Sequence, residues 1–110
     1  MGPFIATGGI RGADLTTGKL VEGLDDQVRQ MFSNLRLVIE QAGGGVGTIL
    51  KVTVWIAVPE ARAAINGPWL ALFPDPQSRP ARHVLNHALP GGMLVQCDAL
   101  AAANDFAGGK

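Results

Sequence analysis

Ile49-Leu50-Lys51-Val52-Thr53-Val54-Trp55-Ile56-Ala57-Val58 puts Val52, Val54, Ile56 and Val58 on one side of an extended chain and Lys51, Thr53, Trp55 and Ala57 on the other. Successive side chains of a strand point to opposite faces, and β-branched and aromatic residues suit a pleated surface. The segment therefore reads as a strand with one strongly apolar face. Such a face needs a cover, and the residues upstream supply one. Val28, Met31, Phe32, Leu35, Val38, Ile39 and Ala42 follow the i, i+3, i+4, i+7 spacing of an amphipathic helix. Asp25 and Asp26 stand where a carboxylate would cap that helix or complement its dipole, and Gly43-Gly44-Gly45 stops it. Arg29, Gln30, Asn34 and Arg36 occupy its polar side and read as solvated.

Downstream, Pro59 to Phe73 predicts a second helix with Pro near its start. Gly67-Pro68 inside the pattern should kink it or split it in two. Pro74 to Pro80 is a loop, Arg82 to Ala88 is extended, Pro90-Gly91-Gly92 is a turn, and Met93 to Ala102 alternates as a last strand. At the other end, Phe4 to Ile10 reads as a short strand and Arg11 to Gly18 as a loop. The order β, α, β, α, β, β gives an α+β fold with a single sheet and two helices packed on one face, because crossovers between parallel strands are right-handed. One domain is expected over residues 3–103, with 104–110 a frayed tail. Thr53, Trp55, Ala57 and alternate residues of Met93 to Ala102 leave the second sheet face semi-apolar. Self-association would cover it.

The 110 residues, 47% of them hydrophobic, suffice for one core. Nine basic residues balance nine acidic ones and no Lys/Arg run follows a phosphate backbone, so nucleic acid is not an expected partner. Cys97 is the sole cysteine, which excludes an internal disulfide and a cysteine-built zinc site and suits a reducing compartment. Met1 to Ile10 has no basic n-region, and no apolar run reaches membrane length, so the expected location is cytoplasmic, without a membrane partner.

Ile5-Ala6-Thr7-Gly8-Gly9-Ile10, Gln27-Val28-Arg29-Gln30, Asn34-Leu35 and Gly43-Gly44 before Val52-Thr53-Val54 occur in an order that resembles the RidA/YjgF/L-PSP family. Ala64-Ile65-Asn66, Phe73-Pro74, Pro80-Ala81-Arg82, Leu89-Pro90 and Val95-Gln96-Cys97-Asp98-Ala99-Leu100-Ala101 continue it, over roughly residues 4–102. The resemblance implies a chorismate-mutase-like homotrimer with sites in clefts between subunits. It also implies hydrolysis of small reactive enamines or imines to 2-keto acids and ammonia, without metal or cofactor. The implied small-molecule partner is such an enamine or imine, or the keto acid.

By the same resemblance Arg82 is the carboxylate-binding residue, since a guanidinium presents two parallel donors to a carboxylate. Thr7 takes the place of a hydroxyl residue in the cleft, and Gly8 and Gly9 allow close approach of substrate. Main-chain amides near Arg82 and Cys97 are candidate oxygen holders, and Trp69 is a candidate aromatic wall. Gln96 stands where active deaminases commonly carry a glutamate that positions water; it can hydrogen-bond water but cannot act as a base. The stretch from Arg82 to Leu89 is one residue shorter than usual, which brings His83 and His87 into consideration. This chain also begins inside what would be the family's second strand.

Plainer roles compete. Arg82 could be a surface ion pair, Thr7 a strand residue satisfying its own hydroxyl, His83 and His87 surface groups, and Cys97 an inert buried hydrophobe. Two other functions compete: a non-catalytic trimer that binds a keto acid while Gln96 leaves hydrolysis idle, and a ribonuclease, which rests only on the resembled family's older naming and has the balanced charge and two weakly placed histidines against it.

Overall fold

The computed structural model of the chain describes residues 4–104. Its elements are β1 (Phe4–Ala6), β2 (Ile10–Arg11), α1 (Leu24–Gln41), a 3-10 turn (Val46–Thr48), β3 (Ile49–Ile56), α2 (Ala61–Ala64), α3 (Asn66–Leu72), β4 (Ala81–Asn86) and β5 (Val95–Ala102). The strands form one mixed sheet in the order β1-β5-β3-β4, with β2 also on β5. β3 and β4 run parallel, as a β-α-β crossover requires, and β5 is antiparallel to all its neighbours.

Val52, Val54 and Ile56 of β3 are buried, as the alternation predicts, and share the helix-covered face with Val95, Cys97, Ala99 and Ala101 of β5. Val28, Met31, Phe32, Leu35 and Ile39 of α1 close over them, and Ala61, Ile65, Trp69 and Phe73 complete the cluster. α1 starts at Leu24, a turn before its apolar stripe, with Asp25 and Asp26 in its first turn. Just past its end stands Gly43, whose φ of 98° is a conformation side chains resist.

The second helix divides as expected, but the joint is Ile65. Gly67 and Pro68 fall in the first turn of α3, where a missing N–H costs nothing. The single strand expected over Phe4 to Ile10 is two. Between them Thr7 N–H donates to Ala99 O at 3.0 Å, while Ala99 N–H donates to Thr7 Oγ1 at 2.9 Å. A hydroxyl thus replaces a main-chain carbonyl in the ladder, and the strand bends. Asn34 is corrected from solvated to buried: its Nδ2 donates to Arg11 O at 3.0 Å and Ala13 O at 2.8 Å, pinning the β2 exit to α1. Gly12 allows this approach, because a Cβ there would collide with the Gln27 carbonyl. Asn104, expected to begin the tail, is tied to Gly43 O at 2.8 Å through its N–H and to Gly44 O at 3.1 Å through its amide. The rest of the expected tail, 105–110, lies outside the described residues.

Candidate functional site

Arg82 sits in edge strand β4 opposite Val52 of β3. Directly paired residues share a face, so its side chain projects to the helix side of the sheet. There Nη2 donates to Asn66 Oδ1 at 3.1 Å, and the guanidinium lies over the Trp69 ring, 5.0 Å from its centroid. Asn66 and Trp69 are three apart on α3 and so face the same way. The indole is itself fixed, edge-on to Phe32 at 6.2 Å and tilted against Phe73 at 4.6 Å. Arg82 Nη1 is buried and has no hydrogen-bond partner among the described residues. Burial, and after it the charge of Arg62, hold the Arg82 pKa below its ordinary value. A guanidinium with one arm anchored and one buried arm unspent is built to receive an acceptor, and a carboxylate matches its fork.

The other expected site residues lie elsewhere. Gln96 pairs with Trp55 and Arg11, which puts it on the open face of the sheet, opposite to Arg82. Its amide lies over Gly9, where a Cβ would push the flexible Gln96 side chain aside. Gln96, Trp55, His87, Ala88, Leu89 and Pro90 line a groove of about 330 Å³. Thr7 and Gly8 lie at the β1/β2 edge. The Thr7 hydroxyl is engaged by Ala99 N–H and donates to Gly8 O at 2.9 Å, whereas a Cβ on Gly8 would meet nothing within 4 Å. The Cys97 side chain is wholly buried on the helix side, burial raises its thiol pKa far above the ordinary value, and its main chain is taken up in the sheet between β2 and β3. His83 is exposed on the open face beside Thr53, and His87 Nδ1 hydrogen-bonds Ala88 O at 2.6 Å.

One residue escaped the sequence reading. Asp98 is half-buried, on the same face of β5 as Gln96, and pairs with Thr53, which in turn pairs with His83. Its signal was simple parity: two residues from Gln96 on one strand, hence the same face.

Thr7 and Arg82 occupy opposite edges of the sheet. With strands spaced ~4.8 Å, three steps separate them by about 14 Å. A single copy does not bring these residues together. A surface groove of about 600 Å³ between α1 and α3 runs past Arg29, Phe32, Arg36 and Leu72 and does not include Arg82. Its arginines are engaged by Asp26 and Glu40. Among the described residues no three His, Cys, Asp or Glu side chains converge as metal ligands, and no helix is long and apolar enough to cross a membrane.

The family model described as endoribonuclease L-PSP matches residues 1–103. The chain is 31% identical over 103 residues to the 2-iminobutanoate/2-iminopropanoate deaminase of Salmonella typhimurium, covering 92% of this chain and 80% of that one. It is 31% identical over 102 residues to a RutC family protein of Pyrococcus horikoshii, covering 91% of this chain and 79% of that one. Among solved structures, RidA from the Antarctic bacterium Psychrobacter superposes with a TM-score of 0.86 at 29% identity, covering 93% of this chain and 82% of that one. Escherichia coli TdcF with bound serine gives 0.84 at 29% identity, over 93% and 82% of the respective chains.

Proposed function

The chain belongs to the endoribonuclease L-PSP family, and from that membership we propose that it hydrolyses small carboxylate-bearing imines and enamines to 2-keto acids and ammonia. The observation that carries this reading is Arg82: anchored by Asn66, stacked on Trp69, and left with a buried donor that has no partner. Relatives named as 2-iminobutanoate/2-iminopropanoate deaminases support it.

Arg82 takes the substrate carboxylate and so fixes the adjacent C=N carbon. Water adds to that carbon: its oxygen forms the new bond, the C=N π pair passes to nitrogen, and Asp98 takes one water proton and delivers it to that nitrogen, giving a carbinolamine. Asp98 then takes the remaining hydroxyl proton and delivers it to the nitrogen as C=O forms and the C–N bond breaks. One water is consumed for each keto acid and ammonia released. An enamine enters the same path once a proton on its β carbon has made it an imine. Gln96 holds the water by hydrogen bonds, and the main chain around Thr7 and Gly8 bounds the substrate.

Because Arg82 and Asp98 project from opposite faces, one copy must supply the anchor and a neighbour the base. A homotrimer in which the β4 edge carrying Arg82 meets a neighbour's open face, with Trp55 and the exposed Leu85 and Leu100 covered by the assembly, would satisfy this. The step asks for no metal or cofactor, and the cytoplasm is the proposed compartment.

A coupled assay with 2-iminobutanoate tests the reading. Wild-type protein should exceed Arg82→Ala by about two orders of magnitude, as loss of a charge-assisted bidentate contact implies. Rates equal to buffer would refute it. A second reading is favoured by Gln96 standing in the groove without a proton to exchange: the pocket binds a keto acid and does not turn over. Calorimetry with 2-ketobutyrate alongside the assay separates the two, and Gln96→Glu should then create turnover.

A further inference from the structure

Arg62, Asn66 and Trp69 follow the i, i+4, i+7 spacing of one helical stripe. The joint between α2 and α3 does not break that stripe. Ile65 keeps helical angles, φ −76° and ψ −16°, its N–H donates to Ala61 O at 3.0 Å, and Trp69 N–H donates to Ile65 O at 3.0 Å. Asn66 and Trp69 both touch the Arg82 guanidinium, so Arg62, one turn toward the N-terminus, stands beside the same charge. Among the described residues neither Arg62 nor Arg82 has a carboxylate partner. Two cations thus stand on one wall, and the buried Nη1 of Arg82 has no partner among the described residues.

Resting on the deaminase reading above, we propose that Arg62 is a specificity residue and that the preferred substrates are dicarboxylates: imines whose side chain ends in a second acid, as an acidic amino acid would give. Arg82 takes the carboxylate next to the C=N carbon, and Arg62 takes the distal one. The reaction at carbon and nitrogen is unchanged. That the two charges sense each other is also seen in the Arg82 pKa, which Arg62 lowers after burial has done so. Arg62 is exposed, so its share is read best as a ratio between ligands.

Calorimetry on the full chain compares 2-oxoglutarate with 2-oxobutanoate. Wild-type protein should bind the dicarboxylate at least tenfold tighter, Arg62→Ala should bring the ratio close to one, and Arg62→Lys should retain part of it. Equal affinities in wild type, or a ratio unmoved by Arg62→Ala, overturn the proposal. Turnover of 2-iminobutanoate is measured separately: its absence removes the deaminase reading and leaves the binding ratio to decide whether Arg62 selects dicarboxylates. If turnover is present, kcat/KM for 2-iminoglutarate, generated in place by an amino acid oxidase, should show the same ratio and the same loss.

Discussion

The guanidinium of Arg82 rests 5.0 Å from the centre of the Trp69 ring, on a plate that two phenylalanines hold still. A cation over an aromatic face is stabilised by ~0.5–2 kcal/mol, more as water is excluded. Trp69→Leu keeps the pocket apolar and removes the plate. Keto-acid affinity measured by calorimetry should fall about 2- to 30-fold, whereas Trp69→Phe should retain most of it.

Asp98→Asn keeps the shape of the side chain and removes its ability to take a proton. Turnover of 2-iminobutanoate should fall about 10²- to 10⁴-fold with keto-acid binding little changed. Gln96→Ala, which removes only a hydrogen bond to water, should lose about tenfold. A larger loss at Gln96 than at Asp98 would reverse the roles assigned to them.

Thr7→Val deletes the acceptor for Ala99 N–H where β1 turns away from β5. An unpaired, partly buried N–H costs ~1–3 kcal/mol, which urea unfolding would register. Thr7→Ser keeps the oxygen and should stay within ~0.5 kcal/mol of wild type.

The buried Cys97 thiol has its pKa raised above the ordinary 9.0, chiefly by desolvation and then by Asp98. A thiol that stays protonated in the folded chain while the unfolded chain ionises destabilises the fold as pH rises. Stability should be independent of this group below about pH 8. Above pH 9.0 it should fall by about 1.4 kcal/mol per pH unit. Cys97→Ala lowers stability near neutral pH and abolishes that slope, so its deficit narrows as pH rises above 9.0. In the native protein near neutral pH a thiol reagent should leave Cys97 unmodified.

β3 and α1 were legible because their patterns report burial directly: Val52, Val54 and Ile56 point inward every second residue, and Val28, Met31, Phe32, Leu35 and Ile39 every third or fourth. The split of the second helix was legible from Gly67-Pro68, though its joint fell two residues earlier because proline is at home in a first turn. The bend at Thr7 was not legible, since it depends on a hydroxyl answering an N–H that lies 92 residues away. Asn34 looked solvated because its burial is set by carbonyls of β2 rather than by anything in its own helix. Arg82 and Trp69 came from the family resemblance. That Arg82 faces the helices while Gln96 and Asp98 face away follows only from strand register, which no single segment encodes.

β5 lies inside the sheet, flanked by β1 and β2 on one side and β3 on the other, yet among the described strands it is the last in chain order. Until it emerges from the ribosome, β1 has no partner and β3 offers an unpaired edge, so the nascent chain cannot close this sheet by stages. Sheet closure must wait for β5. It should be comparatively slow for a chain of this size, and in that interval the apolar strand edges are targets for chaperone capture.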